Sequence, residues 1–243
     1  MVIYGRSGSG KTTLASTFPT PMLYVNVRDN GTDSIADVDG IMVYEVESVD
    51  DVEELRLFLA KDKGKTYKTL VIDTMSQLQE VYVEHVVEQK EKKSDKKPGE
   101  WGSMSKQDWG SVASELKAFV IEMRDLPMEV VFIAQDRTFN MDDEMEESQL
   151  LPEIGPSLMP SVAGVMNAAV QVVGCTFIKR KIITKKSSKS NKKIRTEKAV
   201  YCLRLGPNAT FITKIRKPRK QEAPDFIEDP TYDDIIAVIE GEY

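Results

Sequence analysis

The chain is poor in the side chains that build metal centres and nucleophilic triads. Its 243 residues include one histidine, His85, and two cysteines, Cys175 and Cys202. The cysteines lack the close spacing of zinc-ligand motifs, and a Ser-His-Asp triad would depend on the single histidine. His85 lies beside an amphipathic helical pattern, which favours a structural role. A zinc site and a histidine-based hydrolase are therefore disfavoured.

Long apolar segments are also missing. No run approaches the roughly 20 residues that span a bilayer, and the first ten residues lack the basic and apolar segments of a signal peptide. Both cysteines fall in apolar, strand-like segments, which is typical of buried free thiols. The sequence thus predicts a protein of a reducing cytoplasm with no membrane partner.

Charge is unevenly distributed along the chain. The net charge is −6, which by itself disfavours a polyanionic partner. Residues 179–198 nevertheless hold ten basic side chains and one acid, whereas residues 142–147 hold five acids and no base. Because a basic element on an acidic body can still bind nucleic acid, net charge does not decide the class of partner.

The first thirteen residues contain the most specific pattern. Residues 5–12 fit G-x-x-x-x-G-K-[ST], between a short apolar strand and a helical pattern over 11–18, and this context disfavours a chance Gly/Ser-rich turn. Glycines allow a loop whose backbone N–H groups point at phosphates, the lysine reaches the β- and γ-phosphates, and the threonine hydroxyl binds Mg²⁺. The sequence therefore predicts that ATP and Mg²⁺ bind a loop of Gly5, Arg6, Ser7, Gly8, Ser9, Gly10, Lys11, Thr12 and Thr13.

Apolar runs alternate with helical patterns along the first 135 residues. This order is typical of an α/β fold with a mainly parallel sheet and crossover helices. Predicted helices begin at Ser48, where a capping box with Asp51 is expected, follow Asp73, and cover about residues 109–124. The predicted strands are 2–4, 22–27, 41–45, 69–73 and 130–135.

Three polar residues follow or end predicted parallel strands, so we expect them at one edge of the sheet. Asp73 can hold Mg²⁺ or its water, and Gln135 can sense the γ-phosphate without titrating. Asp29 can position the attacking water, although a turn residue in Asp-Asn-Gly explains it equally well. The predicted catalytic residues are Lys11, Asp29, Asp73 and Gln135, with Thr12 and Asp73 at the metal.

The remainder of the chain departs from the alternating pattern. Antiparallel strands are predicted over 168–183, 199–205 and 210–216, the last two joined by a turn at 206–208. The chain is predicted to be a single domain, 1–243, divided into a nucleotide-binding core at 1–135, an acidic loop at 136–165, antiparallel strands at 166–220 with a basic hairpin at 179–198, and a tail with a short helix at 221–243.

These motifs together resemble a RecA-like P-loop NTPase core. Shared cues are the phosphate loop, Thr-Phe-Pro at 17–19, Tyr-Lys-Thr-Leu-Val-Ile-Asp at 67–73, Val-Phe-Ile-Ala-Gln at 131–135 and Lys-Ile-Arg at 214–216. The chain resembles compact AAA-type, RecA-like phage ATPases, including the Sak-type single-strand annealing proteins. The resemblance implies a protein of the host cytoplasm.

The same resemblance implies a homo-oligomer with ATP at the subunit interface. In such an assembly Lys214 and Arg216 would be basic fingers that reach the neighbour's γ-phosphate. An exposed basic strand end is the alternative explanation of this pair.

Two features depart from the family pattern. The family has a glutamate after the second strand, where this chain offers Arg28 and Asp29, so hydrolysis is expected to be slow or to use another base. The segment after Gln135 corresponds to the second DNA-binding loop of RecA, but its five acids at 142–147 would repel phosphates.

Two basic segments are candidates for DNA contact. The first follows the helix after Asp73 and includes Trp101 and Trp109, which could stack on unpaired bases or pin the loop to the body. The second is the hairpin at 179–198, which would follow phosphates without reading sequence, or would be a solvated hairpin tip. The candidate residues are Lys92, Lys93, Lys185, Lys186, Lys189, Lys192 and Lys193.

The sequence as a whole favours an ATPase that acts on single-stranded DNA in phage recombination, by annealing or strand exchange. A single-strand-binding protein is a further expected partner. The alternatives are a nucleotide-gated scaffold that binds single-stranded DNA with little hydrolysis, and a P-loop ATPase with a non-DNA substrate. A phosphate-loop kinase is disfavoured because no acceptor site or arginine-rich lid is recognisable.

Overall fold

A computed structural model places the predicted parallel strands at the centre of one large sheet. It describes residues 1–29, 31–62, 65–92, 104–139, 153–186, 193–218 and 222–243, of which 183–186 and 193–196 by their backbone alone. The strands are β1 Val2–Tyr4, β2 Met22–Val27, β3 Ile41–Val46, β4 Thr69–Asp73, β5 Glu129–Ala134, β6 Asp136–Phe139, β7 Glu153–Pro156, β8 Val172–Lys186, β9 Lys193–Arg204, β10 Lys214–Ile215 and β11 Phe226–Glu228.

The main sheet has the order β11-β9-β8-β1-β5-β4-β2-β3, and β10 also pairs with β8. β1 to β5 are parallel, and β8 joins them by pairing parallel to β1. β1, β2 and β4 are buried along their whole length, as expected for parallel strands that are covered on both faces. Their carboxyl ends meet at one edge, which we call the carboxyl edge, formed by the residues that follow β1, β2, β4 and β5.

Helices cover both faces of this sheet. One face packs against α2, α3, α4 and α5, and the other packs against α1 and α6. Ser48 and Asp51 form the predicted capping box before α2, since Ser48 N donates to Asp51 Oδ2 at 2.8 Å and Asp51 N donates to Ser48 Oγ at 3.3 Å. The helices are α1 Lys11–Ala15, α2 Val49–Asp62, α3 Met75–Lys92, α4 Lys106–Arg124, α5 Pro160–Ala169 and α6 Tyr232–Glu240. The α/β fold class with a mainly parallel sheet is confirmed.

The interpretation of residues 136–165 as loop is wrong for the part that the structure describes. β6 and β7 form a two-stranded antiparallel sheet, and α5 begins at Pro160. Proline suits the first position of a helix because its missing N–H has no helical partner there. Val162 and Met166 of α5 are fully buried, which by area would stabilise the fold by roughly 1.5–3 kcal/mol each. Because α5 extends to Ala169, the strand predicted from 168 begins instead at Val172.

The predicted pairing of 199–205 with 210–216 is also wrong. β9 pairs with β8 over twelve residues and with β11 on its other side, whereas β10 pairs with β8. The acids at 142–147, Trp101, Lys93, Lys189 and Lys192 lie outside the described residues. No helix in the described ranges is long and apolar enough to cross a membrane.

Candidate nucleotide site

The phosphate loop connects the central strand β1 to α1 at the carboxyl edge. Gly5, Gly8 and Gly10 have φ values of 154°, 73° and 89°, which L-residues with a side chain rarely adopt. A Cβ on Gly5 would lie 2.4 Å from Thr176 Oγ1 and 2.6 Å from the carbonyl oxygen of the same residue. The backbone conformation therefore favours glycine at all three positions, and close packing against β8 also requires it at Gly5.

Lys11 folds back over this loop. Its Nζ donates to the carbonyl oxygens of Gly5 at 2.7 Å and Arg6 at 2.9 Å, and the residue is 8% exposed. Burial lowers the pKa of the Lys11 ammonium, and the negative charge of Asp73 opposes that shift. The lysine is thus held beside the loop, where an anionic ligand would compensate for its lost hydration.

Asp73 is the buried acid of the site. Thr12 Oγ1 donates to Asp73 Oδ2 at 3.0 Å, and the Tyr24 hydroxyl donates to the same oxygen in a short hydrogen bond. Burial raises the pKa of the Asp73 carboxyl, while these two hydrogen bonds favour the charged form. Thr12 and Asp73, the two residues predicted at the metal, are therefore in direct contact.

A cavity of about 600 Å³ opens at the carboxyl edge and brings the predicted catalytic residues together. This volume lies in the range of small-molecule sites. Lys11, Thr12, Asp29, Asp73 and Gln135 all line it, together with Ser7, Gly8, Ser9, Gly10 and Thr13 of the loop. Gly5 and Arg6 contribute their carbonyls to Lys11 instead.

The main chain of Gln135 is held from two sides. Its N–H donates to Ser76 Oγ at 3.1 Å, and its carbonyl accepts from Ser157 N–H at 2.7 Å. Gln135 is exposed, and it lines the cavity. Because Ser76 begins α3 and Ser157 follows β7, Gln135 sits where three elements meet.

The two residues after β2 face different surroundings. Asp29 is exposed and lines the cavity, and its carbonyl accepts from Asn26 Nδ2 at 2.7 Å. Arg28 instead forms an ion pair with Glu84 and donates to the carbonyl of Glu47 at 3.0 and 2.6 Å. The side chain of Arg28 is therefore engaged outside the cavity, whereas Asp29 lines it.

Several site residues were not predicted from the sequence. Tyr24 orients Asp73, and Thr176 Oγ1 lies 2.6 Å from Ser9 Oγ inside the phosphate loop. Tyr201 of β9 packs on Gly10, where a Cβ would lie 3.0 Å from the tyrosine ring. All three contacts depend on strand order, and no local motif in the sequence marks them.

The site fits a magnesium-bound nucleoside triphosphate. The left-handed glycines, the buried lysine beside the loop and the contact between a hydroxyl and a carboxylate supply N–H, ammonium and oxygen groups in one cavity. Oxygen ligands are what Mg²⁺ prefers, and a glycine-rich loop with a lysine suits phosphates. Thr12 and Asp73 are the residues that would hold the ion.

The two predicted finger residues lie at the opposite edge of the sheet. β10 pairs with Val172 and Val173 at the start of β8, beside Val2 of β1. Arg216 Nη2 donates to the carbonyl of Ala168 at 3.2 Å. Lys214 Nζ donates to three carbonyls at the end of α5, those of Asn167, Ala168 and Val170.

Of the DNA-contact candidates, only Lys92 has a described side chain. It is exposed and lies 3.9 Å from Glu88, a weak surface ion pair. Lys185 and Lys186 lie at the end of β8, and Lys193 lies at the start of β9.

A model of the AAA-domain family matches residues 1–196. The matched range contains the phosphate loop, Asp73, Gln135 and most of the cavity, and it ends within β9. A search of curated proteins found no match. With most of its 243 residues matched and a phosphate loop built as described, the chain belongs to the AAA-domain family of P-loop ATPases.

Proposed function

We propose that this ATPase is a RecA-like recombination protein of phage type that acts on single-stranded DNA, by annealing or strand exchange. The observation that carries the proposal is the course of β8. This strand pairs with β1 as far as Cys175, beside Tyr4, and then continues to Lys186. At ~3.3 Å per residue, the part of β8 after Cys175 is roughly 35 Å long and extends beyond the carboxyl edge. The basic hairpin thus starts from the nucleotide site.

Charges at the base of the hairpin are already paired. Lys179 and Lys181 contact Glu228 at 3.2 and 3.0 Å, and Arg180 lies 3.7 Å from Glu197. These two lysines lower the pKa of the Glu228 carboxyl. The basic residues nearer the tip are therefore the better candidates for phosphate contacts, namely Lys185, Lys186, Lys189, Lys192 and Lys193.

The chemistry proposed is hydrolysis of ATP. Bound Mg²⁺ would neutralise charge that develops on the phosphates. Lys11 would hold the β- and γ-phosphates, Thr12 and Asp73 would hold the ion, and Gln135 would contact the γ-phosphate end. Asp29, an exposed carboxylate of the cavity lining, would orient the attacking water.

We further propose that copies assemble head to tail with ATP between them. The finger residues and the phosphate loop lie on opposite edges of the sheet, so one copy's finger edge can face the next copy's cavity. Arg216 is the better finger, because its side chain makes one described hydrogen bond, of 3.2 Å, whereas the side chain of Lys214 makes three. In the assembled protein, Arg216→Ala should lower turnover and leave ATP affinity unchanged.

The decisive experiment measures ATP turnover with and without single-stranded DNA. We expect DNA to stimulate the wild type, Lys11→Ala to abolish turnover, and Lys61→Ala, an exposed lysine on α2, to behave as wild type. ATP turnover without DNA affinity at low salt would instead identify an ATPase with a non-DNA substrate.

A nucleotide-gated scaffold is the second candidate function, and Arg28 is the observation that favours it. Its side chain is held by Glu84 and Glu47, so of the two residues that follow β2 only the exposed Asp29 carries a carboxylate that could serve as general base. Tight DNA binding that depends on ATP but proceeds with negligible turnover would favour this scaffold over the recombination ATPase.

The hairpin tip has its own test. Replacing its five lysines by glutamine should reduce the salt dependence of DNA binding, by about 0.7 in the log-log slope for each lost phosphate contact. The matched control replaces five lysines outside the hairpin, namely Lys61, Lys65, Lys68, Lys106 and Lys117. An unchanged slope in the tip variant eliminates the hairpin as the contact.

A further inference from the structure

The cavity extends well beyond the groups that would hold phosphates and magnesium. Past Thr13 it is bounded by Thr17 in the turn after α1, by Tyr201 of β9 and by the turn before α6, which contributes Asp229, Pro230 and Thr231. Tyr201 and the turn lie outside the range matched by the AAA-domain family. This part of the cavity lining, apart from Thr17, therefore comes from the carboxyl-terminal part of the chain.

The direction of a bound triphosphate follows from the charges along the cavity. Lys11 is the one basic residue among the described residues that line it, and it lies beside Thr12 and Asp73. The part of the described lining that the carboxyl-terminal residues supply includes the carboxylate of Asp229 and no lysine or arginine. A phosphate is disfavoured there, whereas the neutral nucleoside part of the ligand is not.

Tyr201 offers an aromatic surface in this part of the lining. Its ring packs on the Gly10 backbone, one residue before Lys11, and 45% of the residue remains exposed. An exposed ring that lines a cavity next to a phosphate site can stack on a base, because every base has a flat π-face.

The walls around Tyr201 are tied together by backbone hydrogen bonds. Asp229 N–H donates to the Tyr201 carbonyl at 2.6 Å, which joins the turn to β9. Tyr232 N–H donates to the Thr17 side-chain oxygen Oγ1 at 2.9 Å, which joins the start of α6 to the turn after α1. The turn before α6, strand β9 and the turn after α1 are thus held together as one preorganised recess.

We propose that Tyr201, walled by Asp229 and Pro230, forms the nucleoside subsite and stacks on the base of the bound nucleoside triphosphate. The inference rests on the proposed nucleotide site. It adds a contact to the base, which inorganic phosphates lack. The carboxyl-terminal strands thereby favour a nucleoside triphosphate over a bare polyphosphate.

Calorimetric titration of the full chain with Mg-ATP and with magnesium tripolyphosphate tests this subsite. Tyr201→Ala should weaken ATP binding roughly 5- to 150-fold, the range expected for one base stack, and leave tripolyphosphate binding unchanged. Tyr201→Phe should retain wild-type affinity for both ligands. Tyr243→Ala, an exposed tyrosine outside the cavity lining, is the matched control.

A fluorescence measurement tests the same subsite without the alanine variant. In Tyr201→Trp, ATP should quench the added fluorescence relative to wild type, and tripolyphosphate should not. The subsite is overturned if Tyr201→Ala binds ATP like wild type, or loses affinity for both ligands equally, as distortion of Gly10 would cause. A wild type that binds neither ligand refutes the proposed nucleotide site itself, and Lys11→Ala should weaken both ligands.

Discussion

Two lysines at opposite edges of the sheet are held in the same manner by different elements. Lys11 donates to two carbonyls of the phosphate loop, and Lys214 donates to three carbonyls at the end of α5. Burial lowers the pKa of both ammonium groups. An ammonium has three N–H donors, so Lys214 uses all of its donors and Lys11 retains one within the described structure.

The donor count separates a binding residue from a helix cap. Lys11 faces the carboxylate of Asp73 and a cavity, so a phosphate can take its remaining donor and replace the loop carbonyls. Lys214 closes the negative end of the α5 dipole, where a cation stabilises the helix without any ligand. Although the two environments are similar, removal of Lys11 should mainly reduce ligand affinity, whereas removal of Lys214 should mainly reduce the stability of the fold.

The largest expected effect is on ligand binding at the phosphate loop. Lys11→Ala should weaken ATP binding roughly a hundredfold, because charge-assisted hydrogen bonds to phosphate are lost, and its melting temperature should not fall. Calorimetric titration and thermal unfolding measure the two quantities, with Lys61→Ala as the control. Affinity within twofold of wild type would contradict the role given to Lys11.

The reverse pattern is expected at the other edge. Lys214→Met should lower the free energy of unfolding by about 1–3 kcal/mol, because three carbonyls at the end of α5 lose a charged donor, and ATP affinity should not change. Urea unfolding is the measurement, and Lys61→Met controls for loss of a surface charge. If stability is unchanged, Lys214 does not cap α5 in solution.

A smaller effect is expected from the support beneath Lys11. Ser9 Oγ contacts Thr176 Oγ1 and donates at 2.7 Å to the Arg6 carbonyl, which also holds Lys11. Thr176→Val should therefore weaken ATP binding about fivefold, equivalent to about 1 kcal/mol for one hydrogen bond. Thr176→Ser keeps the hydroxyl and should bind ATP like wild type. If the two variants bind ATP with equal affinity, the Thr176 hydroxyl does not support the phosphate loop.

The smallest effect concerns pH at Lys214. Its folded pKa is lowered by burial and by the charge of Arg216, so the folded state binds fewer protons than the unfolded state as pH approaches the ordinary lysine pKa of 10.5. Stability contributed at this residue should then rise with pH in that window. The difference in unfolding free energy between wild type and Lys214→Met should grow from pH 8 to pH 10. A constant difference would indicate a solvated ammonium.

Local patterns in the sequence were sufficient to predict the phosphate loop. Glycine spacing, Lys11 and Thr12 lie within thirteen residues, and Asp73 and Gln135 could be assigned to the same edge because parallel strands end there. Tyr24, Thr176 and Tyr201 could not be found in this way. Their contacts require the order of strands in the sheet, in particular β8 beside β1.

The helix α5 shows a different kind of missed signal. Val162, Ala163 and Met166 follow helical spacing after Pro160, yet the acids and prolines before them gave the whole segment the composition of a loop. The carboxyl-terminal strands were recognised as strands but wrongly paired, since strand composition does not reveal which neighbour completes the ladder.

The strand order described above also bears on how the protein can be shortened. A fragment that ends at residue 196, where the family match stops, would cut β9 after its first four residues and remove β10, β11 and α6. Leu203, Ile227 and Ile235, which pack with Leu14 of α1, would be lost with them. β8 would become a long exposed edge, a surface prone to intermolecular strand pairing. Such a fragment should precipitate on expression, so the boundary of sequence similarity is not a boundary for producing soluble protein.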